Sequence, residues 1–151
     1  KRLKQRRVPS SKKQGAIEGD LNENITMHFI LEYSDNISAE DLQLQGLFAK
    51  LHQTAADTGL FPLKGIRSRA FVSHDYRMAD GNPEHMFVHL TALLGRGRSM
   101  EERESAAKAF FTVLTEHFAG SFEKRGVAMS FEMKELEPVL KYNKNNIQNY
   151  L

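Results

Sequence analysis

The chain has 151 residues, 40% of them hydrophobic, with 21 basic and 19 acidic side chains for a net charge of +2. That length suits one domain around a single core. With no cysteine there is no disulfide, thiolate metal site or cysteine nucleophile, and no apolar run approaches the roughly 18 residues of a membrane helix.

The charge is unevenly placed. Residues 1–26, KRLKQRRVPSSKKQGAIEGDLNENIT, hold seven Lys/Arg against three acids, so the remainder of the chain is slightly acidic. The basic balance therefore belongs to this leader and gives no ground for specific nucleic-acid binding. A mixture of charge, Pro, Ser, Gly and Asn cannot repay its ordering entropy, and no apolar stretch follows the basic residues as a secretory signal requires. The expectation is a disordered basic leader, or an extension foreign to the domain, over 1–26, and a folded domain over 27–151. A cysteine-free chain of this kind is expected in the cytoplasm, with no membrane partner.

Regular signals begin at Met27. His28–Tyr33, HFILEY, is apolar and aromatic and predicts a strand. Ser38, followed by acids, predicts a helix N-cap; Leu42, Leu47, Phe48, Leu51 and Ala55 then recur near helical spacing as far as Gly59, a C-terminal cap. Phe61-Pro62-Leu63 breaks that pattern, and Gly65–Ser73 returns to strand character. After the turn-rich MADGNP at 78–83 the plan repeats. Met86–Leu94 predicts a strand and Ser99–Glu102 a capping box. The helix that follows carries Phe110, Val113, Leu114, Phe118 and Phe122 on one face, and Val127–Met133 predicts the last strand.

Two βαβ units in succession predict an α/β (α+β) domain: a four-stranded sheet with both helices on one face. The other face is then left without cover. Its apolar positions, taken as alternating members such as Val88, Leu90 and Ala92, would stay wet in a monomer, so oligomerisation through that face is expected.

Among candidate functional residues, His85 and His89 are the one close histidine pair. Four positions apart on a strand they are separated by about 13 Å, too far to share a metal without a third ligand between them, and no metal is expected. No nucleophile-elbow pattern occurs. Gly95–Ser99, GRGRS, leads from a strand into a capped helix and loosely resembles a phosphate loop without its full spacing or lysine. A helix N-terminus beside two arginines is still suited to an anion. Arg67 and Arg69 flank Ser68 on a strand, so their guanidinia share a face. Arg98 sits at the corresponding strand-to-helix junction of the second half. Converging arginines can clamp a dicarboxylate through bidentate hydrogen bonds, a role lysine fills poorly.

The runs HFILEYSDNI, GLFAK (46–50), TGLFPLKGIRSR (58–69), MADG (78–81), FVHLT (87–91), GRGRS (95–99) and MSFEMKEL, with the Asn145-Asn146 pair, resemble the 5-carboxymethyl-2-hydroxymuconate Δ-isomerase family of the tautomerase superfamily. The likeness runs in order over residues 28 to about 148. It implies a tautomerase-like duplicated βαβ unit, a homotrimer with its sheets around a central axis, and a cofactor-free isomerase. The reaction implied is a proton shift on an unsaturated, carboxylate-rich acid from aromatic (homoprotocatechuate) degradation. An N-terminal proline would be the base, its pKa lowered by a cationic, partly apolar pocket. Arginines would bind the substrate carboxylates and steady the dienolate. By motif, Arg67 and Arg98 take that catalytic and substrate-binding role, and Arg69 is a further substrate-binding candidate.

Met27 occupies the place of that proline. Inside a chain its nitrogen is an amide without basicity; as a first residue its α-amine, ordinarily at about 7.7–8.0, would be a poorer base. The expectations are accordingly an isomerase weakened at its base or a non-catalytic, trimeric carboxylate-binding module of the same fold. The order of elements also fits a ferredoxin-like nucleic-acid binder, but the paired RNP-type motifs are missing.

Overall fold

The computed structural model describes residues 25–151. Apart from Ile25 and Thr26, the leader expected over 1–26 lies outside the described residues. Strand β1 (Met27–Ser34) leads through α1 (Ala39–Leu42) and α2 (Leu44–Asp57) to β2 (Ile66–Ser73). Strand β3 (Met86–Leu94) leads through α3 (Met100–His117) and α4 (Ala119–Lys124) to β4 (Val127–Glu135). The sheet order is β2-β1-β3-β4. Each βαβ unit forms its own parallel pair, and β1 runs antiparallel to β3 where the two units join. This is the four-stranded α+β sheet expected from the two repeats.

Alternation along the strands decides which side carries the core. Met27, Phe29 and Leu31 of β1 and Met86, Val88, Leu90, Ala92 and Leu94 of β3 are fully buried. They pack in one cluster with Leu47, Leu51 and Ala55 of α2 and Ala106, Phe110 and Leu114 of α3. Phe29 meets Phe110 edge to face at 4.9 Å between ring centres. This corrects the expectation for Val88, Leu90 and Ala92, which lie under the helices. The physical reason is that burial selects the wholly apolar register of β3 and leaves its mixed register, Phe87, His89, Thr91 and Leu93, for the other side. The face that carries no helix among the described residues therefore mixes charge and apolar groups: His28, Ile30 and Glu32 of β1 stand beside Arg67, Arg69 and Phe71 of β2.

Two helix expectations are also corrected. The helix expected from Ser38 to Gly59 breaks at Gln43, which has a positive φ of 32°. Leu42 and Leu44 both pack against the core, and residues two apart on a continuous helix face different ways, so the chain changes phase between them. Phe122, expected on the core face, is 61% exposed, whereas Phe118 is buried. The helical path turns after His117, and α4 carries Phe122 to the surface beside Phe111 and Met129. The local caps form as the sequence indicates. Ser38 accepts the Asp41 amide at 3.1 Å, and Ser99 and Glu102 complete a reciprocal capping box.

Candidate active site at the head of the first strand

The start of β1 is tied to three other parts of the chain. Thr26 is buried; its carbonyl accepts the Gly95 amide at 3.2 Å, and its hydroxyl accepts from Asn143 Nδ2 at 3.1 Å. Asn145 Nδ2 donates to the Lys64 carbonyl at 2.8 Å, so the segment after β4 binds both the head of β1 and the turn before β2. At Gly65 a side chain would collide with the Ile25 carbonyl, which explains the glycine in GIRSR. Met27 itself is fully buried in the core. The Met27 nitrogen is thus an enclosed amide, bonded to Thr26, in this chain.

The next residue points the other way. His28 is half-buried on the open face and pairs in register with Arg67. Its Nδ1 lies 3.1 Å from Arg69 Nη1. Because a guanidinium only donates, Nδ1 accepts this bond and the ring carries its proton on Nε2. Burial, then the charges of Arg67, Arg69 and Lys141, push the imidazole down from 6.5 to about 4. It is therefore neutral at neutral pH, with two exposed arginines on the neighbouring strand.

Arg98 has other partners. Its Nε and Nη2 donate to the Leu60 carbonyl at 3.2 and 2.6 Å, and Nη1 donates to the Gly95 carbonyl at 3.0 Å. The guanidinium carbon stands 4.3 Å over the Phe61 ring. Burial lowers its pKa, and Glu102 opposes that shift. The structure thus joins Arg67 and Arg69 about His28, and engages Arg98 on Leu60, Gly95 and Phe61. The anion place expected at the head of α3 is occupied by the chain's own carboxylate, since Glu102 Oε2 accepts the Ser99 amide at 2.8 Å.

His85 precedes β3 and its Nε2 is 2.9 Å from Asp80 Oδ1. His89 lies on the open face with Nδ1 2.6 Å from Ser130 Oγ and Nε2 3.3 Å from Glu132 Oε1. Among the described residues no group of three His, Asp or Glu is placed to hold a metal, and no helix there is long and apolar enough to cross a membrane.

In the sequence His28 is one histidine among six. Its alternation with buried Met27 and Phe29 was the available signal, since it puts the ring on the open side. Which residues of β2 it meets follows from strand register. Two guanidinia and a neutral imidazole can bind carboxylates and stabilise charge that develops on an enolate.

A model of the 5-carboxymethyl-2-hydroxymuconate isomerase family matches residues 27–151. A 5-carboxymethyl-2-hydroxymuconate Δ-isomerase of Escherichia coli is 48% identical over 120 residues, covering 80% of this chain and 94% of that protein. The structure of a 5-carboxymethyl-2-hydroxymuconate isomerase from Deinococcus radiodurans R1 superposes with a TM-score of 0.80 at 37% identity, covering 87% of this chain and 98% of the other. A fused wild-type 4-OT, solved as a symmetric trimer, shares the fold alone, with a TM-score of 0.57 at 14% identity over 78% of this chain and 93% of the other. A family match across the whole described domain beyond Thr26, with close sequence and structural relatives, places this chain in the 5-carboxymethyl-2-hydroxymuconate isomerase family, on the tautomerase fold.

Proposed function

We propose that the protein is a cytoplasmic, cofactor-free isomerase acting on 5-carboxymethyl-2-hydroxymuconate, or a close relative with several carboxylates, in the degradation of aromatic compounds. The observation that carries this reading is the Arg67–Arg69 pair set about neutral His28 at the head of β1. Moving a proton along a conjugated acid passes through a dienolate, whose negative charge needs cations that are already in place. Arg67 and Arg69 hold the carboxylates, and Arg98 adds its charge at the same end of the sheet. Assembly as a homotrimer is supported by the fused 4-OT relative, a symmetric trimer, and by the uncovered sheet face with its exposed Phe71.

The base is the weak point of the machinery. The Met27 nitrogen is a buried amide in this chain; its lone pair is delocalised into the Thr26 carbonyl and takes up no proton at neutral pH, so the full chain is the least active form. The test is the change in ultraviolet absorption of 5-carboxymethyl-2-hydroxymuconate with three proteins: the full chain, a chain starting at Met27, and that chain with Pro at position 27. Activity should rise in that order. No absorption change with any of the three, at any enzyme concentration, would refute the reading.

A second reading is favoured by the enclosed Met27 nitrogen: a module that binds carboxylates without turning them over. Saturable binding by all three proteins with no turnover decides for it.

A further inference from the structure

We propose that His28 is a positioning residue for the arginine pair, holding Arg69 so that Arg67 and Arg69 together take a dicarboxylate in preference to a single carboxylate. The inference rests on the carboxylate-binding reading above.

An arginine on an exposed strand has a long side chain with rotamer freedom to lose when it binds. Here Arg69 has already given up part of that freedom, because Nη1 is anchored on His28 Nδ1 at 3.1 Å. The anchor uses one of five N–H groups and leaves the Nε–Nη2 edge available for a carboxylate fork. Arg67 is two positions away on the same face of β2, so the two Cα atoms stand about 7 Å apart. That spacing suits two carboxylates of one small molecule.

The surroundings of the ring keep the anchor intact. Arg67 and Arg69 face it from β2, Lys141 acts on it from the segment after β4, and β3 sets Leu93 opposite it. Protonation would place a further cation among three and remove the lone pair that Arg69 uses. At neutral pH the imidazole stays an acceptor at Nδ1 and a donor at Nε2.

The test is calorimetric titration of the full chain at pH 7.5 with glutarate, which has two carboxylates, and butyrate, which has one. Wild type should bind glutarate more tightly. His28→Ala should weaken glutarate binding about tenfold, as expected on losing one charge-assisted hydrogen bond, and change butyrate binding less than about threefold. His28→Asn, whose Oδ1 can accept from Arg69, should recover glutarate affinity to within about threefold of wild type. An alanine variant with undiminished glutarate affinity would overturn the proposal, and so would an asparagine variant as weak as alanine. A wild-type chain that binds neither acid would refute the carboxylate site and the role of His28 with it. Binding of both acids without any effect at His28 would refute the positioning role alone.

Discussion

Acidification from pH 7.5 to 5.0 probes the environment of His28 through folding stability. The ring has a pKa of about 4 in the folded protein against an ordinary 6.5, because burial and then Arg67, Arg69 and Lys141 disfavour its charged form. Above pH 6.5 the imidazole is neutral in both folded and unfolded chains and contributes no pH dependence. Between 6.5 and about 4 the unfolded chain takes up a proton that the folded one refuses, so stability falls as the pH falls; below 4 both bind it and the loss levels off. At about 1.4 kcal/mol per pH unit, the interval from 6.5 to 5.0 is worth roughly 2 kcal/mol before screening. The ring is half-buried and both arginines are exposed, so solvent screening brings the expected loss at pH 5.0 to about 1 kcal/mol. Urea unfolding of wild type and His28→Asn at both pH values, at one protein concentration, isolates this contribution because the other groups titrate alike in the two proteins. Wild type should lose about 1 kcal/mol more than the variant on acidification. Equal losses would show that burial and the cations do not hold the ring neutral as the geometry requires.

Arg67→Ala should lower kcat/KM by about a hundredfold or more, through loss of charge stabilisation in the transition state. Because the side chain is exposed, its melting temperature should stay close to wild type, which steady-state kinetics and a thermal scan will check together. Arg98→Ala should behave differently, losing about 2 kcal/mol of stability in urea unfolding. Its guanidinium ties the Leu60 and Gly95 carbonyls together and covers Phe61. Lysine at this position should not recover the loss, since it lacks the planar fork. Gly65→Ala should cost about 1–3 kcal/mol by the same assay, because the added Cβ meets the Ile25 carbonyl; an unchanged unfolding midpoint would mean that the head of β1 is more loosely packed than the structure shows.

The strands, the helices and their caps were legible in the sequence because each depends on residues a few positions apart. HFILEY and MFVHLTALL carry the two-residue period, and Ser99 with Glu102 closes its capping box within one turn. The family motifs were equally local, which is why the resemblance survives comparison with the solved relatives. The covered face is not legible in this way: Val88, Leu90 and Ala92 alternate as an uncovered set would, and only packing against α2 and α3 shows them to be the covered one. The break at Gln43 likewise follows from two leucines competing for one core.

The candidate site was legible in part. Alternation alone puts Arg67 and Arg69 on one side of β2, and His28 on the side of β1 away from Met27. That the imidazole meets Arg69, 41 positions along the chain, depends on the register of two parallel strands. Arg98 is drawn to Leu60, 38 positions away, by the folding of a loop onto a turn. Register is set by burial of the sheet as a whole, so neither strand's own sequence contains it. Side-chain periodicity belongs to the sequence of each element; the meeting of charges between elements belongs to the tertiary structure, because only there do distant residues come within hydrogen-bonding distance.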